Sequence, residues 1–186
     1  MKLGKRNILI AAIMLVVVAA AVYYAVKVNT PDAAQIPSNL VETNKEQQQL
    51  LDFNHQMIAG ETAEIEAYIK EQPFAIVKSD NGFWYYIIDE GNGKSIKKGS
   101  RVCLDYSIEF LNGDLCYTSD DKGELCFTAG QRQVPKGLDE SVTLLKDGAE
   151  AMILLPSHLA YGVSGDGKKV GPYTPLVYII HVLSVE

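Results

Sequence analysis

The order of apolar and polar positions divides the chain into segments of different kind. Ile8 to Val26 ("ILIAAIMLVVVAAAVYYAV") is 19 residues without a charge. At about 1.5 Å per residue such a helix spans roughly 28 Å, near the hydrocarbon thickness of a bilayer. Residues 28–42 are small and polar with two prolines, and read as a linker. Thr43 and Glu46 form a capping-box pattern that opens a helix, with Leu50, Leu51, Phe53 and Met57 as its apolar positions. Gly60 is expected to interrupt it. A second helix from Glu61 places Ile65, Tyr68 and Ile69 at i, i+3 and i+4, and Pro73 ends it.

From Phe74 the period changes. Two runs rich in β-formers, "FAIVKSD" and "FWYYIID", flank Asn81-Gly82, a hairpin signal. "GNGKSIKKG" is a loop. Arg101–Phe110 reads as a strand turned by Asn112-Gly113, followed by short strands near Asp114–Tyr117 and Glu124–Thr128. "LDESVTLLKDG" is the one helical stretch in this half, with Leu138, Val142 and Leu145 on one face. Ala149–Leu155 and Pro175–Val185 are the last strands. The class is α+β: an antiparallel sheet with one short helix packed on it.

The apolar run changes the picture of where this domain sits. Lys2, Lys5 and Arg6 precede it, and the positive-inside bias keeps them cytoplasmic. The rest of the chain then lies across the membrane. Ala19 and Ala21 also give an A-x-A cleavage pattern, so a signal peptide is the alternative; the run is longer than the usual h-region of about 7–15 residues. Both readings place the domain outside the cytoplasm. The net charge of −6 lacks the clustered basic charge that nucleic acid needs. Cys103, Cys116 and Cys126 allow one disulfide with a thiol left over, or three unpaired cysteines. His55, His158 and His181 show no metal-ligand spacing, so no metal or cofactor is expected.

Gly162 to Lys169 reads G-x-x-x-x-G-K-K, one residue short of a phosphate-binding loop. Lys169 stands where magnesium needs Ser or Thr, and Val170-Gly171-Pro172 cannot open the helix that supplies the anion-binding field. Nucleotide binding is therefore not expected. No Ser, His and Asp suggest a triad, and Asp139-Glu140 read as helix-start charges that favour the macrodipole. Any catalysis here must work without acid, base or metal.

Six motifs in order carry a resemblance across residues 99–186. They are Leu104-Asp105-Tyr106 on the first strand, Asn112-Gly113 in the turn, Leu125-Cys126-Phe127-Thr128-Ala129-Gly130, Val134-Pro135-Lys136-Gly137-Leu138, Ala160-Tyr161-Gly162, and the closing "VGPYTPLVYIIHVLSVE". This stretch resembles the FKBP-type peptidyl-prolyl isomerases. The resemblance implies a twisted antiparallel half-barrel wrapped on one short helix. Before it lie a transmembrane signal anchor (1–27), a linker (28–42) and a helical extension with β-hairpin (43–98).

The resemblance also implies a site. Tyr106, Phe127 and Tyr178 match its aromatic walls, Val134 its rim, Leu138 its floor, and Leu155 the core behind it. Tyr161 matches the loop tyrosine whose hydroxyl donates to a substrate carbonyl. Two departures stand out. Cys116-Tyr117 replaces a usual Phe-Asp pair, which removes a wall and a carboxylate; Asp120 and Asp121 are the nearby carboxylates in sequence. Pro135 replaces a residue whose backbone N–H bonds the ligand, and proline has no such donor. The implied activity is prolyl cis/trans isomerisation of exported, proline-containing polypeptides. The alternative is a binding or chaperone module that keeps the fold with little turnover.

Overall fold

The computed structural model describes the backbone of residues 5–29 and 38–186 and the side chains of 14–27 and 45–186. The chain divides into two units, Met1–Leu51 and Asp52–Glu186. The first contains helix α1, Lys5–Asn29. Among the described residues, no helix is long and apolar enough to cross a membrane. The side chains of the first part of Ile8–Val26, and most of the expected linker 28–42, lie outside the described residues.

Helix α2 runs Ser38–Glu71 without a break, so it opens before Thr43 and passes through Gly60. A glycine inside a helix costs only about 1 kcal/mol relative to alanine. Beyond it, Ile65 is buried, and Tyr68 and Ile69 pack in the same cluster. That tertiary burial outweighs the local cost.

The second unit is built on one seven-stranded antiparallel sheet. Its strands are β1 (Val77–Lys78), β2 (Trp84–Asp89), β3 (Arg101–Glu109), β4 (Leu115–Thr118), β5 (Leu125–Thr128), β6 (Glu150–Leu155) and β7 (Leu176–Val185). The order is β1-β2-β6-β7-β3-β4, with β5 also paired to β3. Gly82 takes φ +92° in the β1–β2 turn, as the Asn-Gly signal implies. The hairpin is not part of a separate extension: β2 pairs along β6 from Trp84↔Leu154 to Asp89↔Glu150. An isolated two-stranded hairpin is marginal in water, and β6 supplies the missing partner.

Alternation along the two central strands separates two cores. Ala151, Ile153 and Leu155 of β6, with Leu176, Tyr178, Ile180 and Val182 of β7, face the main core. There they join Leu138 of helix α4 (Lys136–Ser141), which follows the one-turn helix α3 (Ser119–Lys122), and Val142. Gly137 lets α4 approach closely, since a Cβ there would meet Leu155 Cδ2 at 2.5 Å. Met152, Leu154 and Val177 point the other way, to Trp84 and to Ile65 of α2. The sheet is thus covered on both faces, by α4 on one and by the carboxy-terminal half of α2 on the other.

Cys103 and Cys126, paired across β3 and β5 in register, form a disulfide with Cα atoms 4.1 Å apart. Cys116 is free and buried. Burial raises its thiol pKa above the ordinary value, which keeps it protonated.

Candidate functional site

At one end of the main core the sheet and α4 leave a cup of about 220 Å³. Strand β3 contributes Tyr106 and Ile108, β4 Tyr117, β5 Leu125, and β7 Tyr178. The segment before α4 brings Gln133, Val134 and Pro135, and α4 itself brings Leu138. Tyr161, half-buried, comes from the loop between β6 and β7. A polar cavity of about 520 Å³ shares Tyr106, Tyr117, Leu125 and Tyr161 with the cup and adds Lys122, Glu124, Asp166 and Lys168.

Seven of the expected site residues thus meet on one cavity: Tyr106, Tyr117, Val134, Pro135, Leu138, Tyr161 and Tyr178. Phe127, Cys116 and Leu155 do not line it. Phe127 sits two residues further along β5 than Leu125, paired with Val102, and is buried in the core. Cys116 points inward from β4, so its neighbour Tyr117 reaches the mouth. Leu155 lies in the core against Gly137.

Each wall is held by identifiable bonds. Asp139 is a buried carboxylate, not merely a helix-start charge: it accepts from the Gly130 amide at 2.7 Å and the Arg132 amide at 3.0 Å. These bonds fix the loop that leads to Val134 and Pro135, in which Arg132 takes a left-handed φ of +54°. Pro135 caps α4 with φ −50°, offering the cup a ring and no N–H.

The loop that carries Tyr161 is tied at three points. At its start, Ser157 donates from its backbone N–H and its hydroxyl to the buried Glu61 carboxylate of α2. At its end, the Tyr173 hydroxyl donates to Asn54 Oδ1, and the Tyr173 ring meets Phe53 edge-on at 6.2 Å. Asn54 and Glu61 are seven residues apart, two helical turns, and so share one face of α2. Between these anchors the Tyr117 hydroxyl donates to Asp166 Oδ2 at 2.5 Å. Asp166 Oδ1 accepts from the Lys168 and Val170 amides. Lys169 folds back: its ammonium donates to the Cys116 carbonyl at 2.7 Å and lies 5.2 Å from the Tyr117 ring centre.

The cup is electrostatically quiet at neutral pH. Burial raises the Tyr106, Tyr161 and Tyr178 phenols above their ordinary value, Tyr178 furthest. Burial also pushes Asp166 up, but hydrogen bonds from Tyr117 and from the Lys168 and Val170 amides more than offset this, and its carboxyl lies below the ordinary 3.8. Cys103, Cys126 and Glu124 cluster within 4.8 Å, yet the disulfide removes both sulfurs as thiolate ligands.

The model of the FKBP-type peptidyl-prolyl cis-trans isomerase matches residues 92–183. A protein named FK506-binding protein from Neisseria meningitidis is 32% identical over 99 residues, which cover 91% of that protein and 53% of this chain. The chain belongs to the FKBP family. Two further relatives are a probable FKBP-type isomerase named FkpA from N. meningitidis and the outer membrane protein MIP of Legionella longbeachae. The first is 33% identical over 122 residues (64% of this chain, 44% of that protein). The second is 32% identical over 117 residues (63% and 49%). The chain spans about half the length of these larger FKBP relatives. Two crystal structures share the fold. FkpA from Escherichia coli has a TM-score of 0.62 at 20% identity, covering 100% of this chain and 84% of that one. A peptidyl-prolyl isomerase from Pseudomonas syringae has 0.61 at 23%, covering 71% and 95%.

Asp166, Glu61, Leu125, Ile108 and Gln133 belong to the site or its supports and escaped the sequence reading. Only Asp166 carried a local signal. An Asp before Gly in a Gly-rich loop commonly bonds the amide two residues on, as it does here with Lys168.

Proposed function

We propose that the chain catalyses prolyl cis/trans isomerisation of exported polypeptides through its apolar phenol-lined cup. The observation that carries this is the convergence of Tyr106, Tyr161, Tyr178 and Leu138 on one small cavity beside the cup-lining Pro135. Prolyl rotation breaks no covalent bond, and its barrier of about 18–20 kcal/mol comes from amide resonance. A catalyst need only favour the twisted amide over the planar one. A dry aromatic cup does so by gripping the ring and desolvating the amide, while the Tyr161 hydroxyl donates to a substrate carbonyl. No step requires a proton to change owner.

The same reading places the domain on the outer side of a membrane, tethered by the apolar segment Ile8–Val26. Three observations support it: the basic residues before the segment, the exposure of Met14–Val18 and Val22–Tyr24 on α1, and a disulfide suited to an oxidising compartment. The relative named as an outer membrane protein points the same way.

The missing N–H at Pro135 favours a second reading, a client-binding module with little turnover. Refolding of a client whose slow phase is prolyl isomerisation separates the two. Catalytic amounts of the chain shorten that phase under the first reading; an unchanged phase with client bound establishes the second.

A further inference from the structure

Among the described residues, the one buried side-chain polar atom without a hydrogen-bond partner is the hydroxyl of Tyr178. Buried hydroxyls are nearly always bonded, so an exception calls for a physical reason. Tyr178 lies in the middle of β7, 1% exposed, with its ring on the cup. Packing does not supply the reason. A phenylalanine would close the same wall without an orphaned donor.

Of the polar side chains that act on this hydroxyl, Tyr161 comes before Cys116 and Tyr106. Both phenols line the cup, and each shifts the acidity of the other. No hydrogen bond of ordinary geometry joins the two hydroxyls, although they lie near enough for hydrogen bonding to raise the acidity of Tyr161 and lower that of Tyr178. Tyr161 sits between Ala160 and Gly162, whose φ is +63°, on the loop anchored by Glu61 and Asp166.

We infer that Tyr178 is a positioning residue whose hydroxyl donates to the Tyr161 oxygen when Tyr161 donates to a carbonyl of the bound proline-containing peptide. The inference rests on the isomerase reading of this cup. Each phenol has one proton to give and an oxygen that can accept. The chain Tyr178 O–H to Tyr161 O–H to carbonyl uses both protons in one direction, and hydrogen bonds in such a chain strengthen one another. It gives the Tyr178 hydroxyl a well-aligned partner when the cup is occupied. It also aligns a side-chain donor in a cup where Pro135 offers no backbone N–H.

A double-mutant cycle on the full chain tests this, using Tyr178→Phe, Tyr161→Phe and both together. Three quantities are read: the melting temperature, kcat/KM for cis/trans exchange of an Xaa-Pro peptide, and the affinity for that peptide by NMR titration. Tyr178→Phe is expected to leave the melting temperature unchanged or higher, because it removes a buried unpaired group. It should lower kcat/KM about threefold to tenfold in the wild-type background and have almost no effect once Tyr161 is Phe. An equal fall in both backgrounds, or none in the first, overturns the inference. If the chain binds the peptide without accelerating exchange, the isomerase reading fails alone and the same cycle is read on affinity. No binding at all removes both.

Discussion

The Tyr117 hydroxyl donates a 2.5 Å hydrogen bond to Asp166 Oδ2, joining β4 to the loop that carries Tyr161. Tyr117 stands where the family resemblance leads one to expect a carboxylate, and Asp166 sets a carboxylate against its hydroxyl. Asp120, one of the two nearby carboxylates in sequence, faces a different cavity with Ser119 and His181. Removing either partner frees the loop tip without opening the core. Tyr117→Phe or Asp166→Asn should lower kcat/KM about threefold and leave the melting temperature within a degree or two of wild type. Parallel kinetics and calorimetry on the two variants check this; a large drop in stability would mean the pair holds the fold and not the loop.

Glu61 reaches across from α2 to fix Ser157, three residues before Ala160-Tyr161. Both groups are buried, so Glu61→Ala leaves an amide and a hydroxyl without partners. The expected cost is roughly 3 kcal/mol by denaturant titration. The Leu159 and Ala160 amides, bonded to Pro156 and Ser157 carbonyls, should exchange faster in the variant. Protection unchanged at these amides would remove α2 as a support of the loop.

Reduction of Cys103–Cys126 opens a covalent loop with a sequence separation of 23 residues. Chain entropy assigns such a link about 3 kcal/mol, or roughly 10 °C in melting temperature for a unit of this size. Because β5 also carries Leu125 of the cup, activity at a fixed temperature should fall along with stability. Thermal melts with and without reductant test the first part; a shift below about 2 °C contradicts it.

The pH response follows from the signs of the shifts. Folding raises the buried tyrosines, so their neutral forms contribute stability that is complete below the ordinary 10.0 and lost as the pH rises beyond it. Folding lowers Asp166, so its contribution is complete above 3.8 and lost as the pH falls below. Between about pH 5 and pH 9 no group lining the cup changes charge, and kcat/KM should be flat there. A bell-shaped profile centred near neutrality would reveal an acid or base in the mechanism.

Much of the sheet was legible because its signals are local. Asn81-Gly82 and Asn112-Gly113 mark turns, and alternation marks β3. The role of α2 was not legible, although a cue was present. "AMILL" in β6 is apolar at every position, which implies burial on both faces, and the second cover is Ile65, Tyr68 and Ile69. The aromatic set of the cup was readable through motif order. Its anchors were not, because Glu61–Ser157 and Tyr117–Asp166 join residues 96 and 49 positions apart, and single-sequence patterns carry no information about such pairs. The direction of Phe127 and Cys116 depended on depth along the strands, which motif matching leaves open.

The central claim is that the cup isomerises prolyl bonds with Tyr161 as the donor to substrate. NMR exchange spectroscopy on an Xaa-Pro peptide, with wild-type chain and with Tyr161→Phe, tests it most directly. Exchange between cis and trans resonances should accelerate at substoichiometric wild-type protein and slow about fivefold in the variant at equal concentration. No acceleration even at stoichiometric protein, or identical rates for the two proteins, would contradict it.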